Sequence, residues 1–371
     1  MKRRLLILGI LALSLAGPAP AQTNRPAPID SPVVHQDRTV TFRVRAPLAR
    51  KVELNGQFLK GNQAMLRDES GVWALTIGPV EPNLYPYHFV VDGTAVADPS
   101  NPDQFPNERF KSSLVDIPGT VPSLHANQSV PHGELVYGYY ESTTLRRTRP
   151  LVVYTPPGYR SGDRKYPVLY LVSGTTDTEE TWFRAGRANF ILDNLIAQSK
   201  AVPMLVVMPY GNMMMGTPMP SSPQAAEMYQ VFSDELLTGI IPHVEANYRV
   251  LADREHRALA GFSRGGGQSL FTAFKNPGLF AWVASYAAYL TPEVCEQRFP
   301  EMLAKPDDTN ARLRLLWLGV GREDFLYPQA RDFNRYLRDR KIRYTELITD
   351  GGHTWMNARH YLAETLVLFF R

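Results

Sequence analysis

The chain of 371 residues holds a single cysteine, Cys295, so no disulfide can form within it and its stability must come from a buried core. That thiol is a poor nucleophile candidate, because "TPEVCEQRF" reads as a helix without the glycine punctuation of an exposed reactive turn; a buried, inert side chain is expected. No Cys or His spacing resembles a zinc site and no HExxH occurs, so no resident metal or other cofactor is expected. Basic residues are interspersed with acids and apolar residues, as in "RTRPLVVY" and "LADREHRALA", rather than gathered into a stripe with stacking aromatics. Nucleic acid is therefore excluded as a natural partner. Beyond the first residues no run is apolar enough to span a bilayer, which needs about 18 to 20 such residues, and no internal repeat is visible.

What is present points to a globular, exported protein. A hydrophobic content of 44% with 11% aromatics can bury a substantial core, and the length suggests more than one domain. Lys2, Arg3 and Arg4 precede an apolar stretch from Leu5 to Ala16 and the small-residue triplet Ala19-Pro20-Ala21. That is the plan of a signal peptide over 1–21 with cleavage after Ala21, which implies a periplasmic or secreted location. Its removal takes three of the 40 Lys and Arg residues and leaves 37 against 36 acids, so the formal net charge of +4 says little about the mature protein.

Residues 22–32 are polar and rich in proline and read as a flexible leader. The runs "TVTFRVRAP", "KVELNG", "VWALTIGPV" and "YPYHFVVDG" alternate with period two between Gly, Asn, Asp and Pro, which predicts a small antiparallel β-sandwich over 33–117. Its aromatics, Trp73, Tyr85, Tyr87 and Phe89, fall on alternating strand positions where core packing is the default and sugar stacking the alternative. A linker follows over 118–134. From 135 to 371 the pattern changes: "YPVLYLVSG", "AVPMLVVMPYG", "HRALAGFS" and "LRLLWLGVG" are nearly continuous apolar runs, as strands buried on both faces should be, and helical stretches lie between them. This alternation predicts a doubly wound, mostly parallel α/β domain with ligands beyond the carboxyl ends of its strands.

The stretch "LAGFSRGGGQSL" contains Gly261-Phe262-Ser263-Arg264-Gly265, a match to G-x-S-x-G. Alone the match is weak. Its placement between a buried-strand pattern and a helix makes Ser263 a nucleophile candidate on a strand-to-helix turn. A serine hydroxyl needs a base, and the order in such proteins is Ser, acid, His. Of eight histidines only His353 and His360 follow Ser263. His353 sits in the glycine loop "LITDGGHTW" and is assigned as the base; His360 lies within the helical "ARHYLAETLVLFF" and reads as solvated. The acid is expected at a strand end, where "LRLLWLGVGREDFLYP" supplies Asp324, with Glu323 as the alternative; Asp332 and Asp339 fall on a helix, and Asp350 is too close in sequence to orient the ring. Backbone N–H groups of Arg264 and of Thr175, in "YLVSGTTDTEETW", are the expected oxyanion donors.

Two resemblances extend this reading. "VTFRVRAPLARKVELNG" and "GVWALTIGPVEPNLYPYHFVVDGTAVADPSNP" resemble the immunoglobulin-like early-set domain of the carbohydrate-binding module 48 type. "YPVLYLVSGTTDTEETWF", "YRVLADREHRALAGFSRGGGQSL", "LWLGVGREDFLY" and "GGHTW" resemble the esterase D and feruloyl esterase group of the α/β-hydrolases, carbohydrate esterase family 1. The second resemblance implies hydrolysis of feruloyl or acetyl esters on a plant cell-wall carbohydrate, without cofactor, and places Ser263, Asp324 and His353 on the triad positions. Siderophore or other acyl esters, and a glycan-binding protein with an inactive hydrolase domain, remain open. The chain departs from the family pattern twice: Ser173-Gly174 stands where His-Gly is usual, and Arg264 where Met often follows the nucleophile. The Arg264 side chain either lines the acyl pocket, where it would bind an acidic substituent, or turns outward to a surface carboxylate. Trp182, Tyr210, Trp355 and the loop "GNMMMGTPMP" are expected near strand ends as walls of a substrate cleft, with core packing the default for each aromatic alone.

Overall fold

Period-two alternation in the first third of the chain produces two facing antiparallel sheets in the computed structural model, which describes residues 27–213 and 222–371. The expected signal peptide, part of the leader and most of the methionine-rich loop lie outside these residues. One sheet has four strands, including Val40–Arg45 and Val72–Ile77; the other has five, centred on Val52–Gly56 and Asn83–Val91. Their apolar faces meet in a core of Val40, Phe42, Leu54, Trp73, Tyr85, Tyr87 and Phe89. Each of those four aromatics is 8% exposed or less, so their rings are committed to packing and offer no face to a sugar. The polar tips are paired inside: Tyr87 Oη donates to Asp98 at 2.7 Å, and Trp73 Nε1 to the Ala46 carbonyl at 2.9 Å.

The rest of the chain builds one eight-stranded sheet. Its strands are β1 (Glu134–Ser142), β2 (Arg147–Thr155), β3 (Val168–Val172), β4 (Leu205–Pro209), β5 (Arg257–Phe262), β6 (Trp282–Tyr286), β7 (Leu315–Gly321) and β8 (Thr345–Thr349). The spatial order is β1-β2-β4-β3-β5-β6-β7-β8; β2 runs antiparallel to both neighbours and all later pairs are parallel. The continuous apolar runs follow from burial on both faces. In β3, Leu169 and Leu171 enter one core while Val168, Tyr170 and Val172 enter the other, and all five residues are buried. Helices α1 (Ala188–Ala197) and α3 (Trp355–Leu366) cover the first face, and α2 (Arg264–Lys275) the second.

The two regions share apolar packing. Leu84, Phe105 and Leu114 of the N-terminal region join the core beneath α1 and α3. Arg359 of α3, 4% exposed, donates to Asn83 Oδ1 and the Leu84 carbonyl, both at 2.7 Å, and also to the Ala185 carbonyl. The segment expected as a linker is tied down as well: Asn194 donates to the carbonyls of Leu124 and Ala126, and Asp193 accepts from the Gly133 amide at 2.9 Å. Among the described residues no helix is long and apolar enough to cross a membrane.

Cys295 lies on the short helix Pro292–Arg298 and is fully buried, and burial pushes its thiol up to about 12. The folded protein is therefore expected to resist thiol reagents at about pH 8 and to react with one equivalent only in denaturant, as read by absorbance of the released chromophore.

Candidate active site

The site begins with a backbone crossing. Strand β5 ends at Phe262, α2 starts at Arg264, and Ser263 between them has φ 55 and ψ −122, a conformation that a side chain rarely adopts. Two hydrogen bonds hold it there: the Ser263 amide donates to the Tyr286 carbonyl of β6 at 2.8 Å, and the Gly267 amide to the Ser263 carbonyl at 3.1 Å. The motif glycines are required by proximity. A Cβ at Gly261 would lie 2.4 Å from the Gly265 carbonyl, and one at Gly265 only 2.3 Å from the Val172 carbonyl. Because α2 starts at Arg264, its first amides have no partner within the helix and its positive dipole end lies beside Ser263.

His353 occupies the loop between β8 and α3, and its Nδ1 is 2.8 Å from Asp324 Oδ2. Asp324 follows β7, is 3% exposed, and accepts the Leu326 amide on its other oxygen at 2.8 Å. The imidazole is held between two rings, Phe262 at 4.7 Å between centroids and Phe325 at 4.6 Å. The other acids and the second histidine lie elsewhere. Glu323 is exposed, Asp350 faces Arg322 at the surface, and His360 is 3.7 Å from Glu364 on the outside of α3.

Ser263 and His353 line one cavity of about 570 Å³, together with Gly174, Thr175, Arg264 and Trp355; Leu290, Val294 and Phe325 make its wall largely apolar. That volume is in the range of sites for small organic ligands. Among the described residues no hydrogen bond joins Ser263 Oγ to His353, whose Nδ1 is taken by Asp324. Among the described residues no group of three or more His, Cys, Asp or Glu is gathered that could hold a metal ion.

The outward alternative for Arg264 is overturned. The side chain is 5% exposed and runs beneath the loop after β3, where Nη2 donates to the Gly174 carbonyl at 2.8 Å. Burial pulls the guanidinium below its ordinary pKa, and the carboxylates of Glu108 and Asp177 oppose that shift. Asp177 accepts the Gly174 amide at 2.9 Å, and burial raises its carboxyl to about 7. Ser173, where His is usual, is buried and donates its hydroxyl to the Thr178 carbonyl at 3.1 Å, bracing the same loop from inside.

Of the aromatics expected to wall a cleft, Trp355 lines the cavity, whereas Trp182 and Tyr210 do not. Trp182 is 1% exposed and packs edge-on to Trp355 at 4.8 Å, because the short helix Thr181–Arg184 turns its apolar side into the core. Tyr210 is also buried, with its hydroxyl donated to Glu108 at 2.7 Å and the Arg149 guanidinium 4.7 Å above its ring. The sequence reading missed Phe325, which is 69% exposed at the rim and directly follows Asp324, and the wall residues Tyr229, Tyr289 and Leu290. An aromatic beside the acid was the one available signal; the others approach only through the fold.

The sheet order, the turn at Ser263 and the cavity beyond the strand ends define an α/β-hydrolase fold preceded by an all-β region. The chain belongs to the Esterase family, whose model matches residues 142–367. It is 31% identical over 287 residues to an endo-1,4-beta-xylanase/feruloyl esterase of Xylanibacter ruminicola, covering 74% of this chain and 38% of that protein. It is 30% identical over 302 residues to endo-1,4-beta-xylanase Y of Acetivibrio thermocellus, covering 72% and 26%. The chain thus spans well under half the length of these relatives. Among solved structures it resembles a ferulic acid esterase, with TM-score 0.55, 26% identity, and 65% of this chain and 98% of that one covered. The enterobactin esterase of Shigella flexneri shares the fold at TM-score 0.65 and 19% identity, covering 90% of this chain and 92% of that one.

Burial of Asp177 carries a pH signature. An acid with a usual pKa of 3.8 and a folded value near 7 keeps a proton that the unfolded chain releases, so it lowers stability progressively as pH rises from about 4 to 7. Asp177→Asn, which keeps an acceptor for the Gly174 amide, is expected to gain stability relative to the parent between about pH 5 and 8. Denaturant titrations at both pH values check this, and a difference that does not change with pH would contradict it.

Proposed function

We propose that the protein is a serine ester hydrolase acting on esters of plant cell-wall carbohydrate, feruloyl or acetyl, through Ser263, His353 and Asp324. The observation that carries this reading is the His353–Asp324 contact of 2.8 Å at the wall of the same cavity that receives Ser263 from its strained turn. Asp324 accepts Nδ1–H and leaves Nε2 as the base. Ser263 Oγ attacks the ester carbonyl while His353 takes its proton. The oxyanion is met by the backbone N–H groups of Arg264 and Thr175, and the alcohol leaves with the proton that His353 returns. Water, deprotonated by His353, then releases the acid from the acyl-enzyme. No cofactor enters this sequence.

The substrate class rests on three supports. The cavity is apolar enough for a hydroxycinnamoyl group and opens past the exposed ring of Phe325. A relative at 31% identity bears the name feruloyl esterase. Residues 1–21 have the plan of an export signal, which would bring the enzyme to a polymeric substrate in the periplasm or outside the cell. Lactone esters of the siderophore type are the second reading, favoured by a likeness to the enterobactin esterase fold that extends over 90% of the chain.

Ser263→Ala is expected to remove hydrolysis of aryl acetate and methyl ferulate while leaving the melting temperature unchanged. Asp324→Asn should lower kcat by roughly 1,000- to 10,000-fold. Initial rates on methyl ferulate, acetylated xylan and enterobactin rank the substrates; glycan binding without any turnover would instead favour an inactive hydrolase domain.

A further inference from the structure

The N-terminal all-β region sends one segment across to the loop that follows β3. Thr176, beside the expected oxyanion donor Thr175, has φ 64, the left-handed region that a β-branched residue strongly disfavours. Its carbonyl and its hydroxyl are both held by that segment. The Glu108 amide donates to the Thr176 carbonyl at 2.8 Å, and Asn107 Nδ2 donates to Thr176 Oγ1 at 2.9 Å. The segment is itself anchored on the far side, where the Glu108 carboxylate accepts from Tyr210 Oη at 2.7 Å and from Asn212 Nδ2 at 2.7 Å. Glu108 thus ties the loops after β3 and β4 together, and its negative charge faces buried Arg264.

We infer that Asn107 and Glu108 are positioning residues that hold Thr176 in its left-handed conformation and so aim the Thr175 amide at the reacting carbonyl. The N-terminal region is then a working part of the hydrolytic site. The inference rests on the acyl-transfer reading above. Physically, a strained residue persists only where its surroundings over-determine it, and neither hydrogen bond to Thr176 comes from the hydrolase sheet or its helices. An oxyanion donor displaced by a fraction of an ångström loses stabilisation in the transition state but leaves ground-state binding intact, so the effect belongs in kcat.

The test uses the full chain and an aryl acetate, with kcat, KM and melting temperature measured for Asn107→Ala, Thr176→Ala, the double variant and Asn107→Asp. Asn107→Ala and Thr176→Ala should each lower kcat by about 10- to 100-fold with KM within about threefold. The double variant should be no slower than the slower single variant, because both remove the same contact. Asn107→Asp, whose carboxylate can accept the Thr176 hydroxyl proton and still bond the Arg109 and Phe110 amides, should recover most of the rate. Kcat within twofold of the parent for both single variants, multiplying losses in the double variant, or a loss expressed in KM would overturn the inference. Should Asn107→Ala fail to fold, Thr176→Ala and Asn107→Asp carry the same test. Turnover that survives Ser263→Ala would instead defeat the underlying reading of the site.

Discussion

The site depends on a near-contact between backbones. Helix α2 passes so close to the end of β3 that only hydrogen fits on the α-carbon of Gly265, 2.3 Å short of the Val172 carbonyl for any Cβ, while Gly261 has the same relation to Gly265. The crossing forces Ser263 into φ 55, and the Ser263 amide bond to Tyr286 pins that conformation against the neighbouring strand. From it follow the start of α2 beside Ser263 and the closeness of the loop after β3, whose Gly174 and Thr175 line the same cavity as Ser263. Such a turn persists only because a sheet buried on both faces makes the alternative, opening β3 from β5, far more costly than the local strain.

Around that turn, polar groups are held in low-dielectric surroundings by specific partners. Asp324 is nearly inaccessible, so its bond to His353 is little weakened by water and fixes the ring. Arg264 fills the space beneath the loop after β3, where a shorter or apolar side chain would leave the Gly174 carbonyl without this donor and Asp177 and Glu108 without a counter-charge. The residue that departs from the family pattern thus belongs to the support of the loop. Ser173, the other departure, supports it through the Thr178 carbonyl.

The union of the two regions has the character of a shared core. Leu84, Phe105 and Leu114 pack with residues of α1 and α3, and Arg359 ties the helix that follows His353 to the strand Asn83–Val91. A buried guanidinium with three carbonyl-type acceptors is costly to separate, because each freed group would need new partners. Two loops that bound the cavity, after β3 and after β8, are therefore braced from the same all-β region.

Much of the fold was legible because its causes are local. Period-two alternation marks strands with one wet face, continuous apolar runs mark strands buried on both, and glycines at 261 and 265 mark a turn that admits no side chain. Ser263, Asp324 and His353 stood out for the same reason, each at the end of a strand pattern where a side chain can leave the sheet. What the tertiary structure alone decided is which of the remaining side chains meet. Trp182 and Tyr210 lie near strand ends as expected, yet both rings turn inward: that of Trp182 packs in the apolar core against Trp355, and that of Tyr210 lies under the Arg149 guanidinium with its hydroxyl donated to Glu108. Arg264 had two directions available, and the carbonyl of Gly174 with two carboxylates nearby chose the inner one. Asn107 and Glu108 carry no signal in their own stretch, because their partners Thr176 and Tyr210 are distant in sequence and are brought to them only by the docking of one region on the other.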